Sequence, residues 1–196
     1  MKFAISCLLV AWSIALPGCG PREPAADRAA GDQSTATDTA KTKPVAAKAM
    51  ASLQSSAGKS LGALTLTDVA GGIRVEGKLR GLPPGEHAIH LHTTGQCTAP
   101  KFESAGGHWN PTNKQHGKND PQGLHLGDLP NITVAPDSSV SIDATTPGGS
   151  LLGENALLDA DAASVVVHAK PDDYRSQPAG NAGDRIACGV VQLASD

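Results

Sequence analysis

Seven histidines in a chain of 196 residues all fall between positions 87 and 168, and their spacing limits what the chain can fold into more than any other feature. His90 and His92 are two apart in a segment of strand character, which puts both imidazoles on one face. His108, His116, His125 and Asp128 follow at intervals of seven, eight and two intervening residues. His168 closes the apolar run Val165-Val166-Val167, at the end of a buried strand. An isolated histidine is usually a solvated or hydrogen-bonded group. Six arranged in this way, in or beside long loops, predict a metal site. Imidazole suits copper and zinc, and one carboxylate among imidazoles suits zinc. His87 stands three residues before His90 and so faces the opposite side of its strand, which predicts a structural, hydrogen-bonded role.

The segments that would carry these residues alternate with the period of β-strands. Leu61, Ala63 and Thr65 alternate with Gly62, Leu64 and Leu66, and Ile73, Val75, Gly77 and Leu79 alternate with Arg74, Glu76, Lys78 and Arg80. Ala70-Gly71-Gly72 between them reads as the turn of a hairpin. Gly81 to Gly85 breaks the chain, and further strands are predicted over 86–92, 132–134, 139–142, 164–168 and 186–193. The polar stretch from His92 to Ile132 has no period, and a loop of that length in a compact domain is expected to be functional. After the first eighteen residues the aromatics are Phe102, Trp109 and Tyr174, so the core must come from Val, Ile, Leu and Ala. The 22 glycines and 14 prolines supply turns. The expected class is all-β: a Greek-key antiparallel β-sandwich or flattened barrel with two long functional loops.

The start of the chain reads as a targeting segment. Lys2 and the apolar residues up to Ala15 fit a secretory signal and are too short to favour a spanning helix. Leu16-Pro17-Gly18-Cys19 resembles a bacterial lipobox, whose cysteine is lipidated and becomes the new N-terminus; an ordinary signal cleaved elsewhere is the alternative. Residues 1–18 are therefore expected to be a lipoprotein signal peptide, 19–58 a lipidated cysteine with a disordered tether, and 59–196 the folded domain. The tether rests on eleven alanines among polar residues from 20 to 58, with Val45, Met50 and Leu53 its only large apolar side chains. The expected location is the periplasm, with the chain held to a membrane by its N-terminal lipid. Gly20 after Cys19, in place of an aspartate, favours the outer membrane. With Cys7 removed and Cys19 lipidated, Cys97 and Cys188 remain, either as a bridge or as a thiol pair on a metal; the imidazoles already suffice as ligands, which favours the bridge. The net charge of −3 excludes a general polyanion binder, and no nucleic-acid footprint is present. From Lys59 onward ten Lys and Arg face fifteen Asp and Glu.

His87-Ala88-Ile89-His90-Leu91-His92, Gly107-His108-Trp109-Asn110-Pro111, His116-Gly117, His125-Leu126-Gly127-Asp128-Leu129 and Val166-Val167-His168-Ala169-Lys170 resemble the copper/zinc superoxide dismutase family, as does the run from Gly180 to Val190. The resemblance covers about residues 60–194. It implies superoxide as substrate, with one copper and one zinc per chain. It places copper on His90, His92, His108 and His168, and zinc on His108, His116, His125 and Asp128. His108 would bridge the two ions. Arg185 would be the cationic residue beside the copper, so that His108 and Arg185 are the expected catalytic residues. Asp172 would hold the outer nitrogens of His90 and His116, and Cys97 and Cys188 would form the family disulfide. The stretches 93–107 and 120–124 look like the bacterial branch. Tyr174 to Pro178 is short and carries few charges, so the family's account of how substrate is guided is not carried over to this chain. A metal-binding envelope lipoprotein without turnover, and a purely structural one, are the readings from other classes. A monomer and a homodimer both stay open. Asn131-Ile132-Thr133 fits an N-glycosylation motif, read here as accidental.

Overall fold

A computed structural model describes residues 46–194. Its strands are β1 (Lys48–Ser55), β2 (Ser60–Val69), β3 (Gly72–Arg80), β4 (Gly85–His87), β5 (Ile89–His92), β6 (Ile132–Val134), β7 (Ser139–Thr145), β8 (Ala163–His168) and β9 (Arg185–Leu193), with one short 3-10 turn over Glu103–Ala105. Seven strands form a curled antiparallel sheet in the order β5-β8-β9-β1-β2-β3-β7, and β4 pairs with β6. The β2–β3 hairpin turns at Ala70-Gly71 as the alternation predicts, with Val69 opposite Gly72. The segment 86–92 divides at Ala88: β4 turns to β6, while β5 pairs with β8.

The sheet curls around one apolar core of small and branched side chains, among them Leu53, Leu64, Leu66, Ile73, Val75, Leu79, Ile89, Leu91, Val165 and Val167, with Trp109 as its one aromatic. β8 is buried along its whole length, because each of its faces is covered. Ala163, Val165 and Val167 meet the main core, and Val166 meets Phe102, Ala105 and Cys188 on the other side. That second, smaller cluster roofs the strand that ends in His168. A third long connection, over 146–162, buries Leu151 and Leu157 and seats Trp109, whose indole N–H donates to the Ala156 carbonyl at 3.2 Å.

The expected boundary at residue 59 needs correction. Residues 48–55 do not belong to a tether: they form β1, which lies between β2 and β9 inside the sheet. Ala49, Ala51 and Leu53 point inward with no exposed surface, while Lys48, Met50, Ser52 and Gln54 face outward. Small side chains suffice here because the neighbouring strand comes close. A Cβ added at Gly189 of β9 would lie 2.8 Å from the Ser52 carbonyl oxygen. Alanines scattered among polar residues look like a linker, yet at period two they fill one face of a tightly packed central strand. The proposed signal segment, Cys19 and the first part of the tether lie outside the described residues.

Candidate metal centre

β5 carries His90 and His92, and β8 delivers His168 at its end. The free edge of β5 then pairs with the long loop 93–131 through two isolated bridges, His92 with His108 and His90 with Asp128. The strand that carries two of the histidines thus also locates the loop that carries the others. His90, His92, His108 and His168 bring four ligand atoms within 4.8 Å of one another, and His108, His116, His125 and Asp128 do the same. His108 belongs to both groups, and all seven residues are buried. His87 stays outside them. Its Nδ1 lies 2.8 Å from the His168 carbonyl and its Nε2 2.9 Å from that of Pro83, a structural position between two backbone segments.

In the first group one nitrogen of each ring is engaged and the other is not. His90 Nε2–H donates to Asp172 Oδ2 at 2.9 Å, His92 Nδ1–H to the Gly106 carbonyl at 3.0 Å and His168 Nδ1–H to the Gly183 carbonyl at 3.2 Å. His108 Nδ1 is 2.8 Å from Asp128 Oδ1. The nitrogens left over, His90 Nδ1 and the Nε2 atoms of His92, His108 and His168, are buried without any hydrogen-bond partner. Buried polar atoms are almost always paired. Four orphans among mutually adjacent imidazoles therefore mark a cation site of nitrogen ligands, which fits copper.

The second group is crowded around one oxygen. Asp128 Oδ1 lies 2.8 Å from His108 Nδ1 and 3.1 Å from the Nδ1 atoms of His116 and His125. His116 Nδ1 approaches outside the direction of a hydrogen bond and is a further orphan. Asp128 Oδ2 is spoken for, accepting from the backbone N–H groups of Gly117 at 2.9 Å and His125 at 3.0 Å. Three imidazoles and one carboxylate fit zinc. Asp172 ties the groups together, since its Oδ1 accepts from His116 Nε2–H at 2.9 Å while its Oδ2 serves His90.

Burial dominates the titration of these rings. It holds His168 at about 3, with His90 adding to the effect, and holds His108 at about 4 against the opposing pull of Asp128. Both are neutral at neutral pH, with nitrogen lone pairs free for a cation. Burial also disfavours charge on His116, but Asp128 and Asp172 outweigh it and lift that ring to about 9. Burial would raise the two carboxylates, yet their hydrogen bonds from histidine hold both well below the ordinary carboxylate range. A fixed anion thus waits in the second group, where a divalent cation would take the place of the proton on His116.

Cys97 and Cys188 are bridged, which fastens the loop over Val166 to β9. The bridge closes a separation of 91 residues, worth roughly 4.6 kcal/mol in the chain-entropy picture. Arg185, at the start of β9 and half-buried, spans the gap to the same loop. Its Nη1–H donates to the Phe102 carbonyl and its Nη2–H to the Gly106 carbonyl, both at 2.7 Å. Among the described residues no carboxylate forms a salt bridge with it, Asp184 and Asp173 included. It borders a concave pocket of about 460 Å³ whose wall also holds Pro100, Lys101, Glu103 and Asp184. Several supports of the centre are not visible in the motifs. Gln177 grips the His116 backbone from both sides, its Oε1 accepting from the N–H at 2.9 Å and its Nε2–H donating to the C=O at 3.0 Å. Asn131 does the same for Asp172.

The sequence profile of the family described as copper/zinc superoxide dismutase matches residues 60–191. The superoxide dismutase [Cu-Zn] of Caulobacter vibrioides is 45% identical over 139 residues, covering 69% of this chain and 80% of its own. Among solved structures, a SOD-like protein from Bacillus subtilis superposes with a TM-score of 0.69 at 37% identity, over 72% of this chain and 96% of that one. The Cu/Zn superoxide dismutase from Brucella abortus superposes with a TM-score of 0.60 at 27% identity, over 74% and 99%.

Proposed function

The chain belongs to the copper/zinc superoxide dismutase family, and from that premise we propose how its residues divide the work of converting superoxide to oxygen and hydrogen peroxide. His90, His92, His108 and His168 hold copper; His108, His116, His125 and Asp128 hold zinc. Bound copper supplies one-electron exchange with superoxide, while zinc, which has no redox chemistry, orders its loop. His108 presents Nδ1 to one group and Nε2 to the other, so its Nε2 is where this chain can hold and release a proton. Asp172 fixes the tautomers of His90 and His116, because each must keep its Nε2 proton to donate to the shared carboxylate. Arg185 receives the anion. Two of its five N–H groups are tied to carbonyls, which leaves an oriented, permanently charged face for a small anionic substrate. The domain's surplus of acidic residues repels superoxide at long range, so attraction must be local to this pocket.

The observation that carries this reading is the convergence of unpartnered imidazole nitrogens in a buried place. The test is to load the full chain with copper and zinc, count the metals and measure superoxide consumption on the same sample. One copper and one zinc with rapid consumption is expected; two bound metals without consumption would leave a metal-binding protein and end the catalytic assignment.

The sequence supports a location as well. The apolar stretch to Ala15 followed by Leu16-Pro17-Gly18-Cys19 favours export and lipidation at Cys19, with the enzyme working in the periplasm at a membrane, the outer one by the identity of Gly20. Cys19→Ser should move the protein from the membrane fraction to the soluble one with metal content and activity unchanged. Continued sedimentation with lipid would remove the anchor.

A further inference from the structure

Tyr174 is out of place by ordinary rules. It is a bulky residue at φ 60°, a left-handed conformation that side chains of its type rarely adopt and that persists where surrounding contacts enforce it. It also sits in the connection 169–184, which joins β8 to β9 and has few large apolar residues to order it. What it touches accounts for both facts.

Its backbone N–H donates to Asp172 Oδ1 at 2.6 Å, and its carbonyl accepts from the Asn119 N–H at 3.0 Å. Its hydroxyl oxygen accepts from the Asn131 N–H at 2.8 Å, and the Lys118 ammonium stands 3.9 Å from the centre of its ring. Gly117 packs so closely on the Tyr174 carbonyl that an added Cβ would collide with it. One residue therefore meets three consecutive residues that follow His116, the carboxylate that holds His116, and the residue that leads into β6. Asn131 completes the arrangement. Its Nδ2–H donates to the Asp172 carbonyl at 3.0 Å and its Oδ1 accepts from the Asp172 N–H at 2.9 Å, so one side-chain amide takes up both backbone groups of Asp172. Gly180 closes the last side: a Cβ there would strike the Asp172 carboxylate and come within 2.7 Å of His116 Nε2.

We propose that Tyr174 and Asn131 are positioning residues for the zinc half of the centre, acting through Asp172 and the turn after His116. Asp172 can orient the His116 ring only if its carboxylate is fixed relative to the backbone on which that ring is mounted. Tyr174 makes this connection: its backbone bonds Asp172 on one side and Asn119 on the other, and its ring, under Lys118 and bonded through its hydroxyl to Asn131, holds that backbone in place. Asn131, anchored at the start of β6, ties the pair to the sheet. Asn131-Ile132-Thr133 thereby acquires a role unrelated to glycosylation.

The inference rests on the assignment of His116 to zinc, and the test keeps the two apart. Zinc affinity of the full chain is measured by chelator competition for the unmodified protein, Tyr174→Ala, Tyr174→Phe and Asn131→Ala, together with thermal unfolding of the metal-free proteins and the visible absorption of bound copper. Outer partners of metal ligands are typically worth 10–100-fold in affinity. Tyr174→Ala and Asn131→Ala should weaken zinc by at least tenfold and shift the copper absorption, because His90 shares Asp172. Tyr174→Phe keeps the ring under Lys118 and loses only the hydroxyl, so it should fold as the unmodified chain does and weaken zinc by a smaller factor. A purely structural role would lower metal-free unfolding temperatures and leave zinc affinity within twofold. That result, in Tyr174→Phe and Asn131→Ala together, overturns the proposal. Failure of the unmodified chain to bind one zinc would instead overturn the assignment of His116.

Discussion

The two halves of the centre are built on different foundations. The half proposed for copper stands on strands: His90 and His92 on β5, His168 at the end of β8, each on backbone paired within the sheet. The zinc half stands on a loop. His116, His125 and Asp128 lie in 93–131, where His116 is held by Gln177 and Asp172 from far along the chain, His125 bonds to Asp128 within the loop, and one bridge joins Asp128 to His90. Repeated backbone pairing resists small displacements cooperatively, whereas a loop held by a few side-chain contacts and isolated bridges depends more on each of them. The copper half should therefore tolerate loss of one neighbour, and the zinc half should not. His108 belongs to both and transmits order from the first to the second.

The harshest way to break this contrast is to take the sheet away from beneath the copper half. A chain shortened to begin at Lys59 loses β1, which fills the space between β2 and β9. Leu53 alone represents about 2 kcal/mol of apolar burial, and the lost ladders on both sides add to that, against a total stability of roughly 5–15 kcal/mol. Circular dichroism and metal analysis should show an unfolded or aggregated product that binds neither metal stoichiometrically. A chain beginning at Lys43 should fold and bind both. Folding of the shorter chain would show that β1 is an accessory strand.

The next test sharpens the contrast without touching the sheet. Asp128→Ala removes the only carboxylate in the two ligand sets and the acceptor of the Gly117 and His125 amides. Zinc affinity should fall by more than the roughly 10–100-fold typical of losing an outer partner of a ligand, while copper occupancy at the strand-borne ligands stays near one per chain. Loss of both metals together would mean that the halves are not separable.

The smallest effect is expected at Arg185, which touches the copper half from outside. Arg185→Ala should keep both metals and lower the rate at low superoxide by roughly tenfold, and the decline of that rate with salt should become shallower as part of the local field disappears. Arg185→Glu should be slower than Ala. Full activity of the Glu variant, measured beside its unfolding temperature, would take Arg185 out of the site.

The contrast also explains what could be read from the chain. The residues that cluster were legible because histidine is rare and its chemistry specific, and because β5 and β8 announce themselves by period and by valine content. β1 was not, because Ala49 and Ala51 have too little surface to declare a buried face; only the neighbours β2 and β9 give them a meaning. The supports of the zinc half were hidden for a different reason. Asn131 meets Asp172 across 41 residues, through a backbone shape at Tyr174 that no local preference anticipates. Gly106 contributes a carbonyl oxygen, a group every residue possesses and no composition can reveal.

That carbonyl has a geometric consequence. The Gly106 oxygen accepts both from His92 Nδ1 at 3.0 Å and from Arg185 Nη2 at 2.7 Å. On the proposed assignment, a copper ligand and the group that receives the substrate are thus gauged from one common atom. If the loop drifts, both partners are drawn the same way, and their separation changes less than the position of either. A reaction that needs a small anion delivered to a fixed spot depends on that separation and not on absolute coordinates. One shared acceptor makes the docking distance a local property of three residues.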